Sequence, residues 1–168
     1  MSKNTKPKMC SFKIRFAQEK DAEIIFCMIK ELAEYEKLQD KLEATAELVK
    51  ESLFQRKVAE TLIAEYAGKP VGYAIFFQNF SSFLGRSGIY IEDIYVKPEM
   101  RDKGFGKMLF SFIAQLAVKR KCGRLEWLCL DWNTPSIAFY KKMGAETMQE
   151  WTVYRISGKK LTTLAEQL

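Results

Sequence analysis

The 168-residue chain contains no histidine, and none of its four cysteines forms a Cys-x-x-Cys pair. Structural and catalytic zinc sites are usually built from Cys and His at short spacings, so a site of that type is not expected, nor is any other metal. Catalysis by a Ser-His-Asp or Cys-His group is excluded as well. A general base in this chain must therefore be a carboxylate, a tyrosine, a lysine or a water molecule held by them.

Long apolar runs are also missing, since no stretch reaches the roughly 18 residues of a membrane-spanning helix. The first residues, MSKNTKPKMCSF, lack the apolar region of a secretory signal, and residues 1–11 are predicted to be a short flexible tail. Residues 12–168 are predicted to form one domain. Cysteines without a disulfide pattern favour a reducing compartment, so a cytoplasmic protein without membrane attachment is expected.

The net charge of +6 is unevenly distributed along the chain. Residues 19–60 contain 11 acidic and 7 basic side chains, whereas residues 97–124 contain 2 acidic and 8 basic ones. This asymmetry favours a basic surface for an anion and an acidic region for a cation, although ordinary solvated surfaces could give the same counts. Nucleic-acid binding is not expected, because the basic residues gather around one turn rather than along a helix with interleaved aromatic residues.

The apolar pattern predicts an α/β domain with a mixed sheet, in the order β-α-α-β-β-β-α-β-α-β. FKIRFA alternates like a strand, and a helix follows from residue 21. A second helix is predicted over residues 45–54, and two strands joined at Gly68 form a hairpin. GIYIEDIYV is the fourth strand, RLEWLCLDW (residues 124–132) the fifth, and EWTVYRI (residues 150–156) the last.

The stretch RDKGFGKML lies where the fourth strand leads into the third helix. The first N–H groups of a helix have no partner within the helix and carry partial positive charge, so they suit a phosphate. Gly104 and Gly106 lack the Cβ atoms that would obstruct its approach, and three basic residues surround the turn: Arg101, Lys103 and Lys107. The alternative is a turn whose glycines only relieve backbone strain.

Two common nucleotide-binding motifs do not fit this turn. A Walker A loop needs G-x-x-x-x-G-K-[ST], which the chain lacks. A Rossmann fingerprint needs a third glycine where Leu109 stands, and it belongs to an opening βαβ unit. A nucleoside triphosphate or a nicotinamide cofactor is therefore disfavoured.

Arg101, Gly104 and Gly106 fit R/Q-x-x-G-x-G/A, the acetyl-CoA motif of the GNAT N-acetyltransferases. Three longer stretches, YIEDIYVKPEMRDKGFG, LDWNTPSIAFYKKMGA and KELAEYE, resemble the diamine acetyltransferases, which include the spermidine/spermine and thialysine enzymes. The resemblance covers residues 12–156. It implies the GNAT fold, a mixed and mostly antiparallel sheet with splayed fourth and fifth strands and flanking helices. It further implies acetyl-CoA as co-substrate, a small amine as acceptor, and a homodimer.

The resemblance also implies a set of site residues. The pantetheine arm would bond to the fourth-strand backbone and would meet Asn133 and Ser136. The pyrophosphate would bond to the N–H groups of the glycine turn, and Lys142 would favour the nucleotide phosphates. These cofactor residues are Ile94, Tyr95, Val96, Arg101, Asp102, Lys103, Gly104, Phe105, Gly106, Lys107, Asn133, Ser136 and Lys142. The amine would be held by Tyr35, Glu36, Glu92 and Trp151.

The chemistry requires removal of a proton, because a primary amine has a pKa near 10 and about one molecule in a thousand is neutral at pH 7. Glu92 is the best candidate base, since it lies in a strand otherwise rich in Ile and Tyr. Its alternatives are protection of a sheet edge and a structural ion pair. Tyr140 stands where the family has its general acid, while the pattern alone would make it a packing residue. Direct transfer in a ternary complex is implied.

The loop NFSSFLGRSG departs from the spermidine/spermine enzymes, which carry an aspartate and a tryptophan there. Ser81 and Ser82 stand instead, and Arg86 adds positive charge. The loop and the LDWN stretch are more like the thialysine enzymes. A short diamine, a polyamine, thialysine and a lysine-like amine remain open as acceptors. A peptide N-acetyltransferase and a non-catalytic CoA-binding module are the alternatives from other classes.

Overall fold

The structure is a computed structural model that describes residues 11–167. Within them the chain forms five strands and five α-helices: β1 (Phe12–Phe16), α1 (Ala22–Tyr35), α2 (Ala46–Lys50), β2 (Glu60–Tyr66), β3 (Lys69–Ser81), β4 (Arg86–Val96), α3 (Phe105–Lys119), β5 (Leu125–Trp127), α4 (Thr134–Lys142) and α5 (Lys159–Ala165). These elements fall into two compact units, which we call the sheet unit (up to Leu128) and the C-terminal unit (from Cys129). The prediction of one domain over residues 12–168 stays a prediction.

The sheet has the strand order β1-β2-β3-β4-β5, with β4 and β5 parallel and all other neighbours antiparallel. The predicted mixed, mostly antiparallel sheet is therefore confirmed. The hairpin between β2 and β3 turns through Ala67 and Gly68, whose φ angles are 53° and 77°. Two successive positive φ angles are typical of the tight turns that match the twist of a hairpin.

A β-bulge interrupts β4 at Glu92. Ile75 pairs with Asp93, but the next residue, Phe76, pairs with Ile91, so Glu92 falls between the two pairs. On its other side β4 pairs with β5 only through residues 89–91. The bulge therefore marks the point where β5 stops following β4, which is the splayed strand pair that was predicted.

Helices cover both faces of the sheet. On one face Ile25 and Met28 of α1 and Val49 of α2 pack against a cluster that includes Ile63 and Tyr73. On the other face Phe105 of α3 stacks on Phe12 of β1, with ring centroids 4.3 Å apart, and contacts Tyr66, with centroids 5.3 Å apart. Phe110 of α3 meets Trp127 of β5 edge-on at 5.0 Å. Ile63 and Tyr66 lie three positions apart in β2 and so face opposite sides.

Three element predictions need correction. The fifth strand was predicted over residues 124–132 but covers Leu125–Trp127. The predicted second helix is α-helical only over Ala46–Lys50 and continues as a wider π-helical turn over Glu51–Gln55. The prediction of a strand over residues 150–156 is wrong, because no strand forms within residues 129–167. A strand needs a neighbour for its backbone groups, and alternation of side chains does not supply one.

The described part of the chain shows neither a membrane-spanning helix nor a cluster of metal-binding side chains. In residues 11–167 no helix combines the length and the apolar character needed to cross a membrane. The same residues place no three His, Cys, Asp or Glu side chains so that they could hold a metal ion. The tail predicted over residues 1–11 lies, except for its last residue, outside the described part of the chain.

Candidate functional site

The glycine turn leaves the first N–H groups of α3 without acceptors within the helix. Gly104 is the N-cap of α3 and has φ 79°, a left-handed conformation that glycine adopts without strain. The hydrogen bonds of α3 begin with Met108, whose N–H donates to the carbonyl of Gly104 at 3.0 Å. The N–H groups of residues 105–107 precede this bond and have no acceptor within the helix. An anion at this place would satisfy them.

Gly106 is not required by contacts within the protein. A Cβ atom added there would meet only the side chain of Val96, at 4.0 Å, which is an ordinary contact. A Cβ atom added at Gly104 would likewise meet nothing within 4 Å, so protein packing requires neither glycine. Lys103 and Lys107 are exposed beside the turn. These observations fit the phosphate end of acetyl-CoA.

Arg101 makes its contacts elsewhere. Its guanidinium carbon lies 4.5 Å from the ring centroid of Tyr35, and its Nε donates to the carbonyl oxygen of Val96 at 3.1 Å. A second ring, that of Tyr95, lies 6.0 Å from the same carbon. Arg101, the first basic residue of the motif, thus contacts the ring of Tyr35 and the backbone of Val96 in the sheet unit. Its role as a phosphate ligand stays a prediction.

Beyond the bulge, β4 presents one edge without a strand neighbour. Ile94, Tyr95 and Val96 pair with β3 on one side, whereas the register with β5 ends at Ile91. No strand in residues 11–167 pairs with the other edge of residues 94–96. Backbone N–H and C=O groups on an open edge can bond an extended chain such as pantetheine. The contact itself is a prediction for these three residues.

Two adjacent carboxylates differ in their surroundings. Glu92, in the bulge, is exposed, whereas Asp93 is half-buried. The hydroxyl of Tyr73, which is fully buried, donates to Oδ2 of Asp93 at 3.0 Å. Burial, together with the charges of Glu92 and Glu36, raises the pKa of Asp93 to about 6, although the hydrogen bond from Tyr73 lowers it.

The end of α1 contributes the predicted amine-binding pair. Tyr35 is the last helical residue and Glu36 is the C-cap. Burial raises the pKa of Glu36, and the charge of Glu36 in turn raises the pKa of Asp93. The end of α1 is thus linked to β4 by this electrostatic effect and by the contact of Tyr35 with Arg101.

Sequence reasoning missed three participants. Glu31, one helical turn before Tyr35, accepts from the hydroxyl of Tyr95 at 3.0 Å and from Nζ of Lys97 at 3.1 Å. Its i, i+4 spacing from Tyr35 was an available signal. Asp93, an acid inside an apolar strand, could have been chosen on the same ground as Glu92. Tyr73 carried no signal, since a tyrosine in a buried strand is most often a core residue.

The C-terminal unit holds the remaining predicted residues. Asn133 is buried and caps α4, because its side-chain oxygen accepts from the N–H of Ser136 at 3.3 Å. Tyr140 is half-buried, with its ring centroid 5.3 Å from that of Phe139, and Lys142 is exposed in the last turn. Trp151 is 68% exposed and lines an open depression of about 540 Å³ with residues 141 and 145–150. The roles predicted for these five residues stay predictions.

Comparison with known proteins shows which proteins the chain resembles. The profile of the Acetyltransferase (GNAT) family matches residues 17–145. The thialysine N-epsilon-acetyltransferase of Bos taurus is 36% identical over 164 residues, covering 90% of this chain and 96% of that protein. The L-ornithine N5-acetyltransferase NATA1 of Arabidopsis thaliana is 45% identical over 93 residues, or 55% of this chain, but the match spans only 41% of the plant protein.

The fold has solved counterparts. An integron cassette protein from the mobile metagenome of V. cholerae superimposes with a TM-score of 0.80 at 24% identity, covering 94% of this chain and 99% of that one. At this level of identity the likeness concerns the fold alone. It agrees with the sheet order and the flanking helices found above.

Proposed function

Since the chain belongs to the GNAT family of N-acetyltransferases, we propose that it transfers the acetyl group of acetyl-CoA to the side-chain amine of a small basic amino acid or a short diamine. GNAT acetyltransferases use acetyl-CoA as co-substrate, and the open N–H groups before Met108 suit its pyrophosphate. Relatives named for thialysine and ornithine support an acceptor of this size.

One observation carries the choice of a cationic small molecule. In a chain of net charge +6, Asp93 of β4 feels the negative charges of Glu92 beside it and of Glu36 at the end of α1. These charges raise the pKa of Asp93, and a bound cation relieves that repulsion. A protonated amine is such a cation, and the neighbouring ring of Tyr35 offers it a further favourable surface.

The proposed reaction is direct. The neutral amine nitrogen attacks the thioester carbon, the C–S bond breaks, and the acetyl group moves to nitrogen without an acyl-enzyme. Glu92, exposed in the bulge, accepts the amine proton through a water molecule. Tyr140 protonates the departing CoA thiolate, and a backbone N–H of β4 near Tyr95 stabilises the oxyanion of the tetrahedral intermediate.

The substrate class is tested by measuring CoA release with thialysine, ornithine, lysine, putrescine, spermidine and a lysine-containing peptide. We expect thialysine or ornithine to give the highest kcat/KM. Glu36→Gln should raise the KM of the amine at least about tenfold, while Glu34→Gln, an exposed carboxylate of the same helix, serves as the control. Activity on the peptide with silence on all free amines would overturn the proposal.

The catalytic roles are tested with Glu92→Gln and Tyr140→Phe. Each should lower kcat by a factor of about 10² to 10⁴, the range for loss of a general base or acid, with little change in CoA affinity. Full activity in the double variant would contradict this mechanism.

We further propose a homodimer, with an interface that uses the C-terminal unit. Its support is the exposure of apolar side chains there, among them Tyr154 at 90%. Sedimentation equilibrium should show reversible association, weakened at least about tenfold by Tyr154→Asp. Phe83→Asp, an equally exposed aromatic of the β3–β4 turn, is the matched control. A monomer at all concentrations, or equal effects of both variants, would refute the dimer.

A further inference from the structure

Arg101 joins the expected donor site to the expected acceptor site. Its guanidinium packs within cation–π distance of Tyr35, at the end of α1, and its Nε–H holds the carbonyl of Val96, at the end of β4. Tyr35 is the residue expected to contact the amine, and Val96 belongs to the backbone expected to contact pantetheine. One side chain thus contacts an element of each site.

A second connection runs parallel to the first. Glu31 lies one turn before Tyr35 on α1, and its two carboxylate oxygens accept from Tyr95 and Lys97 of the same β4 end. The pKa of Tyr95 is raised by burial and by its bond to Glu31, so this hydroxyl stays a proton donor. The last turn of α1 is therefore attached to the donor strand at two places.

The end of α1 is where such an attachment matters most. The helix stops at Tyr35, and Lys37 follows with a left-handed φ of 58°. The N–H group of Lys37 donates to the carbonyl of Glu34 at 3.0 Å, which closes the end of the helix. Glu36 lies between Tyr35 and Lys37. Holding this turn in place costs conformational entropy, and whichever ligand binds first lowers that cost for the second.

We propose that Arg101 is a positioning residue that couples acetyl-CoA binding to amine binding, rather than a ligand of the phosphates. Acetyl-CoA bonded along residues 94–96 fixes the carbonyl of Val96, and Arg101 carries this order to Tyr35 and Glu36. The amine then binds a formed site. By linkage, the amine raises the affinity for CoA by the same factor. This inference rests on the proposed acetyl transfer.

The test measures a coupling factor by isothermal titration calorimetry, using CoA, which cannot react, with thialysine or ornithine as the second ligand. The factor is the ratio of the amine Kd without CoA to that with saturating CoA. We expect at least about fivefold in the unaltered protein, within the usual range for coupled sites. In Arg101→Met it should fall to nearly one, while the Kd of CoA alone changes less than about threefold.

Four further variants separate coupling from charge. Arg101→Lys keeps the charge but lacks the planar fork, so it should lose the coupling as Arg101→Met does. Tyr35→Phe keeps the ring and should retain the coupling, whereas Tyr35→Leu should lose it. Lys103→Met removes a charge beside the phosphate turn, so it should weaken CoA binding and leave the coupling factor intact.

Arg56→Lys, an exposed residue outside these contacts, is the control for handling and stability. Thermal unfolding identifies any variant that fails to fold, and if Arg101→Met does, Tyr35→Leu tests the same link. The inference would be overturned if Arg101→Met lost affinity for CoA as Lys103→Met does and yet kept the coupling factor. A protein that binds no CoA fails the proposed function, whereas one that acetylates amines with a coupling factor of one fails only the inference.

Discussion

β4 and residues 150–156 are both rich in β-branched and aromatic side chains, yet only β4 is a strand. β4 pairs with β3 along its length and with β5 over residues 89–91, and Ile89 and Ile91 are buried. In residues 150–156, Trp151 and Tyr154 are largely exposed. Side chains of these types suit a half-buried sheet surface, but a segment becomes a strand only where a neighbouring strand pairs with it.

The largest expected contrast is in packing. Leu62 of β2 is fully buried, so Leu62→Ala should lower the free energy of unfolding by about 3 kcal/mol. Val153 is 63% exposed, so Val153→Ala should change the free energy of unfolding by less than about 0.5 kcal/mol at protein concentrations too low for association. Urea unfolding followed by circular dichroism measures both.

The outcome for Val153→Ala shows whether residues 150–156 are exposed in a single chain. A loss as large as that of Leu62→Ala in dilute solution would show that residues 150–156 are buried within one chain, and the contrast would fail. A loss that grows with protein concentration would instead show that a second copy covers them, because association adds stability by mass action.

A smaller effect concerns charge inside β4. Because the pKa of Asp93 is raised to about 6, the folded protein keeps a proton there that the unfolded chain has released between about pH 4 and pH 6. The stabilisation from this retained proton is fully present below that window. It is lost as the pH rises through the window, and the free energy of unfolding falls by at most about 1.4 kcal/mol per pH unit.

Asp93→Asn removes this dependence. The variant minus wild-type difference in the free energy of unfolding should therefore increase from pH 4 to pH 6 and then level off, as measured by urea unfolding at each pH. Glu150→Gln changes an exposed carboxylate of the C-terminal unit and should give a flat difference. An equal slope in both variants would contradict the special position of Asp93.

The smallest contrast compares two helix caps. Thr45 caps α2 through the N–H of Leu48 at 3.2 Å, and buried Asn133 caps α4 through that of Ser136 at 3.3 Å. Thr45→Ala and Asn133→Ala should each lower the free energy of unfolding by about 1 kcal/mol, with Asn133→Ala the larger loss because its hydrogen bond is part-buried, whereas that of Thr45 is exposed. Differential scanning calorimetry can rank them, and a reversed order would be evidence against the buried cap.

Much of the sheet unit could be predicted from the sequence because its signals are local. The first helix depends on a short apolar pattern, and the hairpin at Gly68 and the start of the third helix at Gly104 each depend on a backbone conformation that glycine favours. The strand predicted over residues 150–156 was wrong, since pairing depends on residues remote in sequence. The shortened β5 has the same cause.

For the site, the backbone of the glycine turn could be predicted and the surroundings of the carboxylates could not. The turn needs only glycine and a helix start. The bulge at Glu92, by contrast, is a property of the register between β3 and β4, and it decides which acid is exposed and which is half-buried. The contact of Arg101 with Tyr35 joins residues 66 positions apart, beyond the reach of any local pattern.

The three tryptophans give the two units separate optical signals. Trp127 is half-buried against Phe110 in the sheet unit, whereas Trp132 and Trp151 of the C-terminal unit are 47% and 68% exposed. Indole emission shifts to shorter wavelength and resists acrylamide quenching when the ring leaves water. Titration of acrylamide therefore distinguishes the units in one sample, and single-tryptophan variants can follow the covering of Trp151 by an acceptor or by a second chain.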